Sequence, residues 1–171
     1  MSEQLAADLI ERAEGLGAVD AVPFRTEQIE FDSRTLLKCM YGCPDYAHRH
    51  TCPSGPNSLR PWEYRRILQE YEWGIIVHTH DLASAQRIAF ELERTAFARG
   101  CYFALALSDC VLCTECSGYN DMPCRNPAKA RPSFHSVGID VFATVKKFDL
   151  PIKVLEHREE QQNWYSAVFV E

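Results

Sequence analysis

The chain has 171 residues, of which 46% are hydrophobic, and its formal net charge is −6 at pH 7. That length and composition suit one domain with a substantial core. The acidic excess argues against nucleic acid as the main partner, because binding phosphates takes a basic surface. No apolar run approaches the ~20 residues of a membrane-spanning helix, so we also expect no membrane partner.

The first segment, "MSEQLAADLIERAEGLG", carries acidic residues among its apolar ones and is predicted to form an amphipathic helix. Ser2 is its predicted N-cap, and Gly15 and Gly17 end it. A signal peptide would not carry these acids, so we expect a cytoplasmic protein. The stretch from Phe24 to Lys38 has a mixed pattern and is predicted to be irregular, with room for one short strand.

Residues 39–58, "CMYGCPDYAHRHTCPSGPNS", are rich in Gly, Pro and Asn and are predicted to form a loop. Pro61 suits the first turn of a helix. "WGIIVHTH" has the β-branched residues of a buried strand. Asp81 is positioned to cap the helix that follows, and Gly100 to end it. "CYFALALS" is then predicted to be a second buried strand.

A second cysteine-rich loop, residues 110–127, follows that strand directly. A helix is predicted from Ser136 to Phe148, and "PIKVLE" and "NWYSAVFVE" are predicted to form a closing hairpin. The strand–helix–strand order implies a parallel pair with a right-handed crossover. We therefore predict a single α/β (or α+β) domain over residues 1–171, with a small mixed sheet, flanking helices and two metal-binding cysteine loops.

Eight cysteines need an explanation in a reducing cytosol, where metal binding is favoured over a disulfide framework. Four of them follow the spacing Cys110-x2-Cys113-x2-Cys116-x7-Cys124. Three cysteines at successive steps of three let a loop curl around a cluster with several attachment points, as in the ferredoxin run C-x2-C-x2-C-x3-C-P. Zinc sites are more often built from two separated pairs. An iron–sulfur cluster of the [4Fe–4S] type is therefore predicted, with zinc as the alternative.

A looser set of three cysteines, Cys39, Cys43 and Cys52, precedes that loop in the chain. They either hold a second cluster, whose fourth ligand is Cys101, a histidine, water or substrate, or Cys124 crosses over to complete their site. The spacing leaves both arrangements open. His48 and His50 lie in the same loop, so a mixed Cys/His zinc site stays open too. Tyr41, Tyr46 and Arg49 of this loop either shield or tune a cluster by burial and hydrogen bonding or are ordinary loop residues.

Several residues outside these two sets have ordinary structural interpretations. Cys101 opens an apolar strand and is interpreted as a small core residue. His78 and His80 share one strand face without an evident acidic partner, which favours a structural role. A basic patch next to the last cysteine offsets cluster charge, docks an acidic partner or is simply solvated. It consists of Arg125, Lys129 and Arg131.

The motifs "LKCMYGCPDY", "TCPS", "CVLCTEC", "PCRNPAKARPS", "GIDVFAT" and "PIKVLEHREEQQNWYSAVFVE" resemble a family of uncharacterised prokaryotic proteins described as predicted metal-binding. The resemblance runs from about Phe31 to the C-terminus. It implies that the seven cysteines of the two loops form the metal site, and it leaves Cys101 outside. Where that family often has "CPP", this chain has "CPS", so Ser54 is expected to loosen the turn after Cys52. The resemblance implies no particular reaction.

The sequence contains no nucleophile–base pair, Walker loop or dinucleotide fingerprint, so no catalytic residue is assigned and any chemistry belongs to the metal site. The first hypothesis is a cytoplasmic iron–sulfur protein with two clusters that exchanges electrons with a redox partner protein. The second is an enzyme whose three-cysteine cluster leaves an open iron for substrate or sulfide. The third is a zinc-stabilised interaction module.

Overall fold

A four-stranded antiparallel sheet lies at the centre of the computed structural model, which describes residues 3–55, 58–157 and 159–171. Its strands, in the spatial order β1-β2-β4-β3, are β1 (Asp20–Arg25), β2 (Trp73–Thr79), β3 (Leu105–Leu107) and β4 (Trp164–Phe169). The α-helices are α1 (Glu3–Gly15), α2 (Thr35–Gly42), α3 (Pro61–Leu68), α4 (Leu82–Ala98) and α5 (Val141–Lys146). Short 3-10 helices span Thr26–Gln28, Ser117–Asn120 and His135–Val137. The predicted α/β class is confirmed.

The sheet is covered on both faces, which gives the protein two apolar cores. Successive side chains of a strand point to opposite faces, so Ile75 and Val77 of β2 pack with α1 and α4 on one side. Ile76 points to the other side and packs there with residues of α3 and α5. The three layers leave both cysteine loops outside the sheet. None of the helices in the described part of the chain combines the length and the hydropathy of a membrane-spanning segment.

The pairing of the strands differs from the prediction. β4 lies between β2 and β3 and pairs antiparallel with both, so the predicted parallel pair and mixed sheet are wrong. The predicted closing hairpin is also wrong, because residues 151–155 lie outside every strand while β4 is an inner strand. Pro151 cannot donate to a ladder, and Val154 is exposed, whereas Ala167 and Val168 of β4 are fully buried.

Two strand boundaries were also predicted incorrectly. β1 covers Asp20–Arg25, a stretch that contains Asp and Pro, which are both rare in strands. Pro23 is tolerated because β1 is an edge strand, although it sits opposite Ile75 in register. The strand predicted at 101–108 is reduced to β3, since Tyr102 and Phe103 point into solvent.

The helix predictions are partly confirmed. Asp81 caps α4 by accepting a hydrogen bond from the Ser84 backbone N–H at 2.8 Å. The predicted helix over residues 136–148 is interrupted at Gly138, whose φ of +86° ends the 3-10 helix before α5 begins. α2 extends to Gly42, so the first cysteine loop begins at Cys43 and Cys39 lies on a helix. The Ser2 N-cap lies outside the described residues.

Candidate metal centre

The four-cysteine loop is fastened to helix α4 at its start. Gln86, a buried residue of α4, accepts a hydrogen bond from the Val111 backbone N–H at 3.0 Å. Glu93 lies seven residues further along α4 on the same face of the helix. Its carboxylate accepts a hydrogen bond from the Ala106 backbone N–H in β3 at 2.6 Å. These two contacts fix the chain on both sides of Asp109 and Cys110, where strand β3 passes into the loop.

The end of the loop is fastened to the same helix by an ion pair. The guanidinium of Arg131 contacts both carboxylate oxygens of Glu93, at 2.8 Å from Nε and 2.5 Å from NH2. Its Cζ also lies 5.2 Å from the centre of the Phe90 ring. Arg131 therefore forms a largely buried ion pair. Of the predicted basic patch, Arg125 and Lys129 are exposed to solvent.

The first cysteine loop is folded by its own polar contacts. The Cys52 thiol donates to the Asp45 carbonyl oxygen at 3.4 Å, and the Ser58 hydroxyl donates to the Cys52 carbonyl oxygen at 2.7 Å. Ser54 accepts a hydrogen bond from the Ala47 N–H at 3.0 Å. The Ser54 hydroxyl therefore makes a contact within the loop that a proline at this position could not make.

Arg49 holds the two cysteine loops together. Its NH1 donates to the carbonyl oxygen of Cys110 at 2.8 Å, and its Nε lies 2.7 Å from the carboxylate of Asp45. The hydroxyl of Tyr119, in the second loop, donates to the same carboxylate. Hydrogen bonds that involve a charged group are stronger than those between neutral groups, so the charged side chains of Arg49 and Asp45 make this a strong contact between the loops.

The two histidines of the first loop make contacts with the second loop. The ring of His48 stacks on Tyr119 with centroids 4.8 Å apart, and His50 Nε2 lies 2.9 Å from the Met122 carbonyl oxygen. The backbones approach so closely here that a Cβ at Gly118 would lie 2.1 Å from the His48 carbonyl oxygen. These contacts show a packing role for both histidines.

The first cysteine cavity, as we name it, has a volume of about 280 Å³ and lies between the two loops. The cysteines in its wall are Cys39, Cys43, Cys52 and Cys110. The cavity is therefore lined by the whole upstream set together with the first cysteine of the downstream set. Asp109 and His135 also line it, although the sequence pattern singled out neither for a site.

The second cysteine cavity is much narrower, with a volume of about 20 Å³. The cysteines in its wall are Cys110, Cys113, Cys116 and Cys124. Asn126 links two of them, because its backbone N–H donates to the Cys124 sulfur at 3.4 Å and its side-chain amide donates to the Cys113 sulfur at 3.2 Å. Cys110 is thus common to both cavities.

Burial and neighbouring groups shift the acidities in the first cavity. Burial, followed by the proximity of Cys43, Cys52 and Asp109, raises the pKa of the Cys39 thiol to about 11. Burial likewise raises the pKa of Cys52. Partial removal of water raises the pKa of Asp109, although its side chain keeps contact with solvent. The nearby His135 and Arg49 oppose this increase. The thiols of Cys39 and Cys52 therefore favour their neutral form until a cation binds.

The remaining predicted residues have structural surroundings. Cys101 is partly buried against the core formed with α1 and α4, as predicted. His78 is fully buried and does have an acidic partner, since its Nδ1 lies 2.7 Å from Asp20 in the neighbouring strand β1. The structural role predicted for His78 is confirmed, and the sequence reasoning missed Asp20 because cross-strand register cannot be read from local spacing.

All eight cysteines lie in the described part of the chain, and all are free thiols. Within residues 3–55, 58–157 and 159–171, no three His, Cys, Asp or Glu side chains converge to hold a single metal ion. The cysteine side chains therefore line their cavities without meeting at one point.

Comparison with known proteins gives one match. No curated protein and no solved structure matches the chain. The sequence profile of a family described as "Predicted metal-binding protein (DUF2284)" matches residues 23–170, which include every cysteine of both cavities. The chain belongs to this family of predicted metal-binding proteins, whose function is unknown.

Proposed function

We propose that the protein holds two iron–sulfur clusters, one at each cysteine cavity, and exchanges electrons with a partner protein. The observation that carries the proposal is that seven cysteines line two adjoining cavities, with four in each wall and Cys110 in both. A two-cluster arrangement needs separate sets of thiolates at short range, and the paired loops supply them.

The first cysteine cavity suits a cluster in size and in ligand chemistry. Its volume of about 280 Å³ is lined by thiols, the ligands that iron–sulfur clusters take. A zinc ion needs four ligands that meet at one point, whereas a cluster is held from several directions.

The second cysteine cavity suits a cluster in its ligands but must widen. A volume of about 20 Å³ holds about one water molecule. Among described residues 110–127 the loop contains no α-helix or strand and only the 3-10 helix Ser117–Asn120, so widening the cavity would break no α-helix or strand pairing. The amide donors of Asn126 already lie at two of its sulfurs, and hydrogen bonds to sulfur tune a cluster's reduction potential.

The chemistry that a [4Fe–4S] cluster supplies when bound is storage of a single electron, without bonds made or broken. The residues of this chain provide the thiolates, the hydrogen bonds to sulfur and the fixed spacing of the two loops. Arg49 sets that spacing through Cys110. The net charge of −6 would steer association with a basic surface on the redox partner.

A second candidate function is supported by the count of cysteines. Seven thiols are one short of the eight positions that two cubane clusters offer, and Cys110 lies in both walls. If Cys110 serves the second cavity, the upstream set keeps three thiolates and one iron stays open. That open position would face the cavity that also contains Asp109 and His135, which suits Lewis-acid chemistry on a small molecule.

The test is a metal and sulfide analysis of protein purified without oxygen, with EPR spectra before and after dithionite. We expect about eight irons with matching sulfide per chain and signals that appear on reduction. The Cys113→Ser variant should lose iron, whereas the matched variant Cys101→Ser should keep it. Zinc without sulfide would overturn both cluster functions and leave a zinc-stabilised module. Clusters that cannot be reduced would overturn electron transfer alone.

A further inference from the structure

A third cavity adjoins the first cysteine cavity and has a volume of about 320 Å³. We call it the aromatic cavity, because Phe134, Phe142, Trp164 and Tyr165 form much of its wall. Asp109 and His135 line both this cavity and the first cysteine cavity, so the two spaces share one wall. A mostly apolar concave space with a few polar groups is the usual form of a small-molecule site.

The polar part of the wall is held in place by buried contacts. Asn163 lines the aromatic cavity, and its Oδ1 lies 2.9 Å from Nε2 of the buried His78. The ring of His78 stacks on Tyr165 with centroids 5.0 Å apart. The Tyr165 hydroxyl donates to the Pro151 carbonyl oxygen at 2.5 Å. This side of the cavity is therefore formed before any ligand enters.

The charged groups of the aromatic cavity determine which end of it an anionic group would occupy. Lys153 lines it with a side chain that is 62% exposed, so this residue is accessible from solvent. Glu160 accepts one hydrogen bond from the Lys153 ammonium, whose three donors leave room for a second anion. Asp109 lies at the wall shared with the thiols, where a ligand anion would be repelled.

We propose that the aromatic cavity binds a small aromatic acid, with its anionic group at Lys153 and its ring between Phe142 and Trp164. The ring end then faces the shared wall, next to the first cysteine cavity. This goes beyond the function proposed above, and the site does not require that the cysteines hold iron. It also gives the open-iron candidate a place from which a substrate could approach.

The test is isothermal titration of the full chain, purified without oxygen, with naphthoate and with naphthamide, which has the same ring and no charge. We expect one naphthoate per chain and weaker binding of naphthamide. Lys153→Gln should weaken naphthoate binding about tenfold and leave naphthamide binding unchanged. The matched variant Lys147→Gln, whose lysine pairs with Glu30 and does not line this cavity, should bind like the parent chain.

A second variant separates the ring from the charge. Phe142→Ala should weaken both probes, because the ring loses apolar contact, and Phe142 is exposed enough for the fold to tolerate the change. The proposal is overturned if naphthoate does not bind, if naphthamide binds as tightly, or if Lys147→Gln weakens binding as much as Lys153→Gln. Iron is measured in the same samples, so failure of this site and failure of the cluster proposal are separate results.

Discussion

Arg49 binds the carbonyl oxygen of Cys110 at 2.8 Å and thereby joins the two cysteine loops at the residue that lines both cavities. The other side of its guanidinium pairs with Asp45 at 2.7 Å. The Tyr119 hydroxyl, in the second loop, donates a hydrogen bond to the Asp45 carboxylate and so adds a second contact between the loops. The contact of Arg49 with Cys110 is therefore one of several that set the spacing of the two cavities, together with the stacking of His48 on Tyr119 and the close approach at Gly118.

Arg49→Lys tests this link. Lysine keeps the charge but lacks the planar fork, so it cannot hold both Cys110 and Asp45 in the observed geometry. We expect the iron content to fall and the free energy of unfolding in urea to drop by about 1.5–3 kcal/mol, the usual value for a hydrogen bond to a charged group. Arg94→Lys is the control, because Arg94 pairs with Glu91 of the same helix and lines neither cavity. Full iron content in Arg49→Lys would contradict the link.

Cys110→Ser and Cys124→Ser compare a cysteine that lines both cavities with one that lines the second cavity. Cys110 lines both cavities, whereas Cys124 lines the second, beside Cys113. We expect Cys110→Ser to alter the EPR signals of both proposed clusters and Cys124→Ser to alter the signal of one, with a matching loss of iron. If Cys124→Ser instead removes the signal that depends on Cys39, the ligand crosses between the loops and our partition is wrong.

Gly118→Ala tests the close approach of the two loops. The added Cβ would lie 2.1 Å from the His48 carbonyl oxygen, which is backbone and cannot rotate away. We expect a loss of about 1–3 kcal/mol in the free energy of unfolding, as for an overpacked site, together with weaker metal retention. Gly15→Ala is the matched control, because nothing lies within 4 Å of its added Cβ. Equal melting temperatures for the two variants would show that the loops separate freely.

Helices α3 and α4 and strand β2 were predictable because their signals are local. Pro61 marks a helix start, Asp81 caps α4 with its own side chain, and β2 is a run of buried apolar residues. The position of β4 was not predictable in the same way. It pairs with β2 and β3 at once, and such long-range pairing leaves no mark in the sequence spacing.

The sequence singled out the seven cysteines of the candidate site but not the way they divide between two cavities. Cys110 lies in both walls, and the Arg49 hydrogen bond to its carbonyl oxygen spans 61 positions of the chain, so local spacing does not reveal it. Asp109 and His135 were missed for the same reason, since only folding brings them to one wall. A signal did exist for Glu93, a charged residue seven positions after Gln86 on the buried face of α4.

Arg131→Met tests the ion pair that fastens the end of the second loop. The partners are largely buried, with 18% and 12% of the Arg131 and Glu93 side chains exposed. Removing the cation leaves the Glu93 carboxylate buried without its counter-charge, which costs about 3–5 kcal/mol in such pairs. Arg94→Met, at a side chain 65% exposed, should cost about 0.5 kcal/mol or less. The free energy of unfolding of both variants is measured in urea. Equal losses would contradict a larger contribution of the Arg131–Glu93 pair to stability.

Glu160 predicts a pH-dependent change next to the aromatic cavity. Hydrogen bonds from Lys153 and from the His157 and Glu156 backbone N–H groups lower its pKa from 4.5 to about 2 in the folded chain. Because the folded pKa is the lower one, the carboxylate stabilises this turn above pH 4.5, and that contribution is lost as the pH falls toward 2. An NMR titration should show the Glu156 and His157 amides shifting with a midpoint near 2, and Lys153→Gln should move the midpoint upward. A midpoint near 4.5 in the parent chain would mean that these three donors do not hold Glu160 in solution.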